Sequence, residues 1–152
     1  MSKGYIVIAQ NNDTTDYLEQ AYALALNLKL TQSTVSNLTV CVDAKTKKQI
    51  KDRHIEVFDH IVDIPWNDQA EDAEWKINNK WKYYYMTPYK ETVILDTDMI
   101  FPTDVSHWWD MLSEKDIWAC TNVKTFRGEN AVDHNMYYRE VSKNKGGMPE
   151  TG

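Results

Sequence analysis

The sequence predicts an α/β fold with a mostly parallel sheet flanked by helices, and three observations lead there. Short, continuously apolar, β-branched runs recur along the chain; helical spacing fills the intervals between them; and no internal repeat or low-complexity stretch breaks the alternation. With 152 residues and 42% apolar content, the chain is long enough for one domain built around one core.

Residues 5–9 open the pattern: Tyr5, Ile6, Val7, Ile8 and Ala9 form the kind of unbroken apolar run found in strands buried on both faces. Polar residues 10–15 end it. From Asp16 the period becomes helical, with Leu18, Ala21, Tyr22, Ala25, Leu26 and Leu28 at three- and four-residue steps behind a Thr/Asp cap. A second strand is expected at 38–42, a charged helix at 44–52 and a third strand at 60–65. After an acidic loop at 67–72, residues 73–86 lack Gly and Pro and suit a helix that Thr87-Pro88 stops, with its aromatic side chains packed on the sheet. Val93, Ile94 and Leu95 make the most strand-like run, ending in Asp96-Thr97-Asp98. A turn at Pro102-Thr103-Asp104 leads to a short amphipathic helix at 106–112 and a strand at 116–122. Beyond 124 the strand signals vanish, and only 131–141 has helical spacing.

Charge and composition narrow the partners. The net charge is −6, and the basic residues are scattered apart from the short run Lys45, Lys47, Lys48, which reads as a solvated helix side; no basic face for nucleic acid is expected. No stretch of roughly 20 apolar residues predicts a membrane span, and no signal peptide is recognisable, so a cytoplasmic protein is expected. Cys41 and Cys120 lie in apolar runs and read as small core side chains, although spacing leaves a disulfide between them open.

The chemistry-bearing feature is Asp96-Thr97-Asp98. Carboxyl ends of strands are where open α/β sheets present ligand-binding groups. In extended geometry Asp96 and Asp98 point the same way, so both can meet one hard cation while Thr97 faces elsewhere. Mg²⁺ and Mn²⁺ suit carboxylate oxygens and bridge them to phosphates, and a cation offsets the repulsion of two neighbouring carboxylates. The plainer alternative is a turn cap at Asp96 and a solvated Asp98.

These residues resemble the glycogenin-like glycosyltransferases of GT-A fold, whose hallmark is an apolar strand ending in Leu-Asp-x-Asp, here Leu95, Asp96, Thr97 and Asp98. The family's order of a helix lysine, a tyrosine, a short turn and the strand is matched by Lys80, Tyr89 and Val93-Ile94-Leu95. Ile6-Val7-Ile8-Ala9 followed by Asn11-Asn12-Asp13 and Tyr17 is similar to its nucleotide-binding loop, with extra residues around Thr14-Thr15. Residues 59–65 look like the strand before its variable loop. The likeness covers about residues 4–123.

It implies a GT-A, Rossmann-like domain over 1–123 that binds a nucleotide sugar, with an irregular or helical tail over 124–152 beginning an acceptor-side region. Asp98 would bind Mn²⁺ or Mg²⁺, Asp96 would share the metal and lie near the ribose, Lys80 would contact the donor, and Thr97 would count among the cofactor-binding positions. Ala9, Asn11, Asn12 and Tyr17 would line the base and ribose pocket. The expected reaction moves a sugar from a nucleotide sugar, a UDP-sugar on the family pattern, to an acceptor whose identity the sequence does not reveal. The family's late metal-binding histidine has no match: His107 and His134 differ in position and surroundings and read as structural or surface groups. The chain therefore reads as truncated after the half that carries Asp96-Thr97-Asp98, either binding nucleotide without transfer or completing its site as a homo-oligomer. A phosphatase of haloacid-dehalogenase type also ends a strand in Asp-x-Asp, but there the motif ends the first strand and has Thr or Val where this chain has Ile100.

Overall fold

The computed structural model describes residues 2–66 and 76–116, with isolated positions 124, 127 and 129 beyond them. The chain divides into two compact units, Met1–Lys115 and Asp116–Gly152, and the fold below is that of the first. The acidic loop expected at 67–72, the strand expected at 116–122, the helix expected at 131–141, Cys120 and His134 lie outside the described residues, apart from Asp116 itself.

β1 (Lys3–Ala9) leads to α1 (Tyr17–Thr31), β2 (Leu38–Val42), α2 (Ala44–Lys47), α3 (Asp52–Val57) and β3 (His60–Asp63). A 3₁₀ segment (Lys76–Lys82) then runs into α4 (Tyr83–Met86), followed by β4 (Glu91–Ile94) and α5 (Trp108–Leu112). The four strands form one all-parallel sheet in the order β3-β2-β1-β4. The expected α/β architecture with a parallel sheet is what forms. No described helix is long and apolar enough to cross a membrane.

Both faces of the sheet are covered, which explains the unbroken apolar runs. Tyr5, Val7 and Ala9 of β1 and Leu38, Val40 and Val42 of β2 face a layer formed by Leu18, Ala21, Leu24, Ala25 and Leu28 of α1 and Trp109 of α5. Ile6 and Cys41 point the other way, onto Tyr83 and Met86. Each fully buried leucine contributes about 1.5–3 kcal/mol relative to an exposed one, so Leu18, Leu24 and Leu28 of α1 add several kcal/mol between them. Burial pushes the Cys41 thiol up to about 12, leaving it a protonated core group. α1 starts where the Asp16 carboxylate accepts the Glu19 N–H at 3.0 Å.

Two expected helices form differently. The stretch 44–52 stops after one turn at Lys47, and Lys51 is extended (φ −119°, ψ 167°) before α3 begins. His54, whose Nδ1 accepts the Lys51 N–H at 3.1 Å, closes the start of α3 and is fully buried against Tyr22 and Phe58. Apolar periodicity did not reveal α3 because its one buried residue is this histidine. In the stretch 73–86 the described part is the 3₁₀ segment and a single α turn, in keeping with the modest helix propensity of consecutive Trp and Tyr. Nor do all its aromatic residues pack on the sheet. Tyr83 and Met86 do, whereas Trp81, Tyr84 and Tyr85 are exposed.

Trp66 is held at φ 60°, a left-handed backbone that costs a non-glycine residue roughly 1–2 kcal/mol.

Candidate functional site

The chain builds β1, β2 and β3 outward in one direction and then returns to the opposite side of β1 for β4. The order therefore reverses between β1 and β4, and the crevice at the carboxyl ends of these two strands is the topological switch point where such sheets bind ligands. Pairing there ends early. The last β1–β4 register pair is Ile6 with Ile94, and the Leu95 N–H still reaches the Ile6 carbonyl at 3.0 Å. One step further the Ile8 N–H has no β4 partner and donates instead to the Tyr83 hydroxyl at 3.0 Å. Burial raises the Tyr83 phenol, an effect the Ile8 N–H partly opposes. Backbone pairing between β1 and β4 thus ends here, and the residues that follow are Gln10 and Asn11 after β1 and Asp96, Thr97 and Asp98 after β4.

The Asp96-Thr97-Asp98 triplet does not continue the strand geometry that was expected; it is the start of a turn closed by the Met99 N–H on the Asp96 carbonyl at 3.4 Å. Sidedness survives through burial. Thr97 is buried and donates its hydroxyl to Gln20 Oε1 at 2.9 Å, while Asp96 and Asp98 are exposed. α1 also holds the following segment with two amide side chains. Asn27 accepts the Phe101 N–H at 2.7 Å and donates to the Phe101 carbonyl at 3.1 Å. Gln32 does the same across Val105 N–H (2.9 Å) and Thr103 O (3.1 Å). The loop bearing the carboxylates is fixed to the core helix on its far side.

Lys80, on the 3₁₀ segment, forms an ion pair with Asp96 Oδ1. Both side chains are about half exposed (43% and 60%), so solvent screening keeps the pair near or below ~1 kcal/mol and its consequence is positional. Asp98 makes no hydrogen bond or ion pair among the described residues. A network missed by sequence reasoning backs the β1 end: Asn79 Nδ2 donates to Gln10 Oε1 at 2.9 Å, and Gln10 Nε2 donates to Asp43 Oδ2 at 3.1 Å. Gln10 and Asn79 are buried, which single polar letters beside a strand and in a helix do not announce.

The remaining expected site residues have other work. Ala9 is buried in the core layer. The Asn11 amide is buried and donates to Asp16 Oδ1 (2.8 Å) and Gln49 Oε1 (2.9 Å), while its oxygen accepts the Leu18 N–H (2.9 Å). Asn12 Oδ1 accepts the Thr14 and Thr15 N–H groups at 3.0 and 2.7 Å, an Asx-type turn that accommodates the extra residues there. Tyr17 packs half-buried against the core. His107 lies far from the switch point, in a shallow cavity of about 530 Å³ at the amino end of the sheet with Lys3, Ser106, Trp109 and Asp110.

Two carboxylates are a sparse donor set, and among the described residues no group of three His, Cys, Asp or Glu side chains comes together. The set nevertheless fits a hard divalent cation of the kind held by one or two carboxylates and completed by water and phosphate oxygens. Asp98 is uncommitted, and Asp96 already holds a positive charge in the Lys80 ammonium. The sequence matches no protein-family model, and it matches no curated protein.

Proposed function

We propose that the switch-point crevice is the nucleotide-sugar site of a metal-dependent glycosyltransferase, taking a UDP-sugar as donor. The observation that supports this most is the pairing of Lys80 with Asp96 beside the gap between β1 and β4. It joins, in one place, the lysine and the carboxylate that the resemblance to glycogenin-like enzymes places at the donor.

Asp96 and Asp98 would hold Mn²⁺ or Mg²⁺. When bound, the ion would offset negative charge on the departing diphosphate. Lys80, paired with Asp96, would add a positive charge at the same edge. Thr97, anchored on Gln20, fixes the turn so that both carboxylates stay outward. On the β1 side, Asn11 shapes the loop through its own bonds to Asp16, Gln49 and Leu18, and the backbone near Ala9 and Asn12 supplies the wall for base and ribose. Asn11 in this reading is a positioning residue.

Thermal-shift titration with UDP, with and without Mn²⁺, tests the site on wild type, Asp98→Ala and Lys80→Ala. A ligand that binds only the folded state raises Tm by mass action, so even weak binding registers at high concentration. Wild type is expected to be stabilised by UDP with Mn²⁺ and Asp98→Ala to lose the Mn²⁺-dependent part. An unchanged melting curve for wild type would sink the proposal. UDP-sugar hydrolysis then distinguishes a transferase from a binding half-domain that does not turn over.

A further inference from the structure

We propose that Met99 is an oxidation site that controls the turn through Asp96, Thr97 and Asp98: its thioether holds the turn while reduced and releases it once a peroxide has made the sulfoxide. The modification site stands on its own geometry, and only its effect on ligand binding rests on the donor-site reading.

One pair of residues closes the turn twice. The Met99 N–H reaches the Asp96 carbonyl at 3.4 Å, and the Asp96 N–H donates to Met99 Sδ, also at 3.4 Å. The residue before, Leu95, still gives its N–H to the Ile6 carbonyl at 3.0 Å. Asp96 is therefore where the backbone leaves β1 and a side-chain sulfur takes over as acceptor. A thioether is a weak acceptor, but it is one, whereas a leucine of similar size would offer no lone pair. The N–H it holds belongs to the residue whose carboxylate pairs with Lys80. Thr97, by contrast, is tied to Gln20 through oxygens, which a peroxide does not attack.

The same sulfur belongs to a side chain open to an oxidant. Met99 is 38% exposed, close to Met111 at 44%, while Met86 is 4% exposed. In the reaction the thioether lone pair attacks one oxygen of a hydroperoxide. An S–O bond forms as the O–O bond breaks, and the departing oxygen keeps the electron pair, takes the proton and leaves as water or an alcohol. Sulfur loses two electrons and the peroxide gains them. A pair of thiols reverses the change: they are oxidised to a disulfide, the sulfoxide oxygen leaves as water and the thioether returns.

The product cannot keep the bond to Asp96. Sulfoxide sulfur carries partial positive charge and no longer accepts an N–H, and an oxygen bonded to it does not fit between sulfur and nitrogen atoms 3.4 Å apart. The side chain, now polar, turns to water. The Asp96 N–H loses its partner, and the turn is left with its backbone bond and the Thr97 anchor.

Hydrogen peroxide treatment with peptide mass spectrometry reads the site, and amide exchange by NMR reads the turn, both without nucleotide or metal. Met99 is expected to oxidise alongside Met111 and well before Met86. The Asp96 amide should then exchange about two- to tenfold faster, as the loss of one modest hydrogen bond implies, while the Leu95 amide keeps its rate. Met99→Leu should show the faster Asp96 exchange without peroxide and no further change with it, which separates Met99 from the other methionines. Methionine sulfoxide reductase with a dithiol should restore the original rate in wild type. The proposal is overturned if Met99 stays reduced while Met111 oxidises, if oxidation leaves Asp96 exchange unchanged or slows it, if Leu95 accelerates equally, or if Met99→Leu responds to peroxide as wild type does. The UDP and Mn²⁺ titration is read separately. Oxidation should reduce the Tm rise seen with the reduced protein, and a rise that oxidation does not alter overturns control of the site by Met99. A reduced protein that does not respond to UDP and Mn²⁺ removes the donor-site reading, and the exchange rates then decide the proposal alone.

Discussion

The hydroxyl of Tyr83 accepts the backbone N–H of Ile8 at 3.0 Å, standing in for the strand that β1 has lost on that side. Tyr83→Phe removes that acceptor with almost no change of shape. A buried donor left unsatisfied costs about 1–3 kcal/mol, and the urea midpoint should fall by a corresponding amount with an unchanged m-value. A midpoint equal to wild type would mean that water replaces the hydroxyl as the partner of the Ile8 N–H.

Asn27 acts as a piece of strand, offering both an acceptor and a donor to Phe101. Asn27→Leu leaves both backbone groups unpaired in a partly buried place, for a loss of at most about 2–6 kcal/mol on the usual cost per group. Hydrogen exchange at the Phe101 amide should accelerate more than at amides of β2. Equal acceleration everywhere would indicate global loss of stability and no specific anchoring of the loop after Asp98.

Gly4 leaves room for the ring of Tyr89. A Cβ added there would lie 2.4 Å from two ring atoms of Tyr89, whose hydroxyl is itself held by Thr39 at 3.0 Å. Gly4→Ala should therefore destabilise by about 1–3 kcal/mol through overpacking. Tyr89→Leu, which vacates the ring, should make the same Gly4→Ala change markedly less costly in a double-mutant cycle. Additive effects would show that the clash is relieved elsewhere.

Asp104 is held down to about 2, chiefly by the Ser106 hydroxyl and then by that of Ser33 and the Ser106 N–H. Its folded value is below the ordinary value of about 3.9, so the stability it contributes is present above pH 4 and is lost as pH falls through 2. The carboxylate is exposed, so the effect is small. The Tm difference between wild type and Asp104→Asn should be constant from pH 7 to 5 and shrink between pH 4 and 2. A difference independent of pH over that range would contradict the assignment.

The strands and α1 were readable because their signals are local and repeated. β1 from Tyr5 to Ala9 and β2 apart from the buried Thr39 are apolar, as two covered faces favour, and α1 shows Leu18, Ala21, Leu24, Ala25 and Leu28 on one side behind Asp16. α3 was not readable, since its buried face is a lone histidine, and the run of Trp and Tyr before β4 predicted more packing than it supplies. Lys80, Asp96 and Asp98 were picked out as residue types at a spacing. That Lys80 reaches Asp96 across 16 residues, and that Asn11 is occupied by Gln49 from 38 residues away as well as by nearby Asp16 and Leu18, is decided by the folded chain.

By itself, the sequence determined that this is an α/β chain with a parallel sheet and that Asp96-Thr97-Asp98 follows a strand, because periodicity and propensity act over a few residues. The tertiary structure alone decided that β4 returns to the far side of β1, that the Tyr83 hydroxyl takes the Ile8 N–H, and that Trp66 stacks on Trp81 at the surface. Those outcomes depend on strand order, on where a backbone N–H finds its partner and on the buried Lys82, which donates to the Pro65 carbonyl, and none of these is encoded within any short stretch of residues.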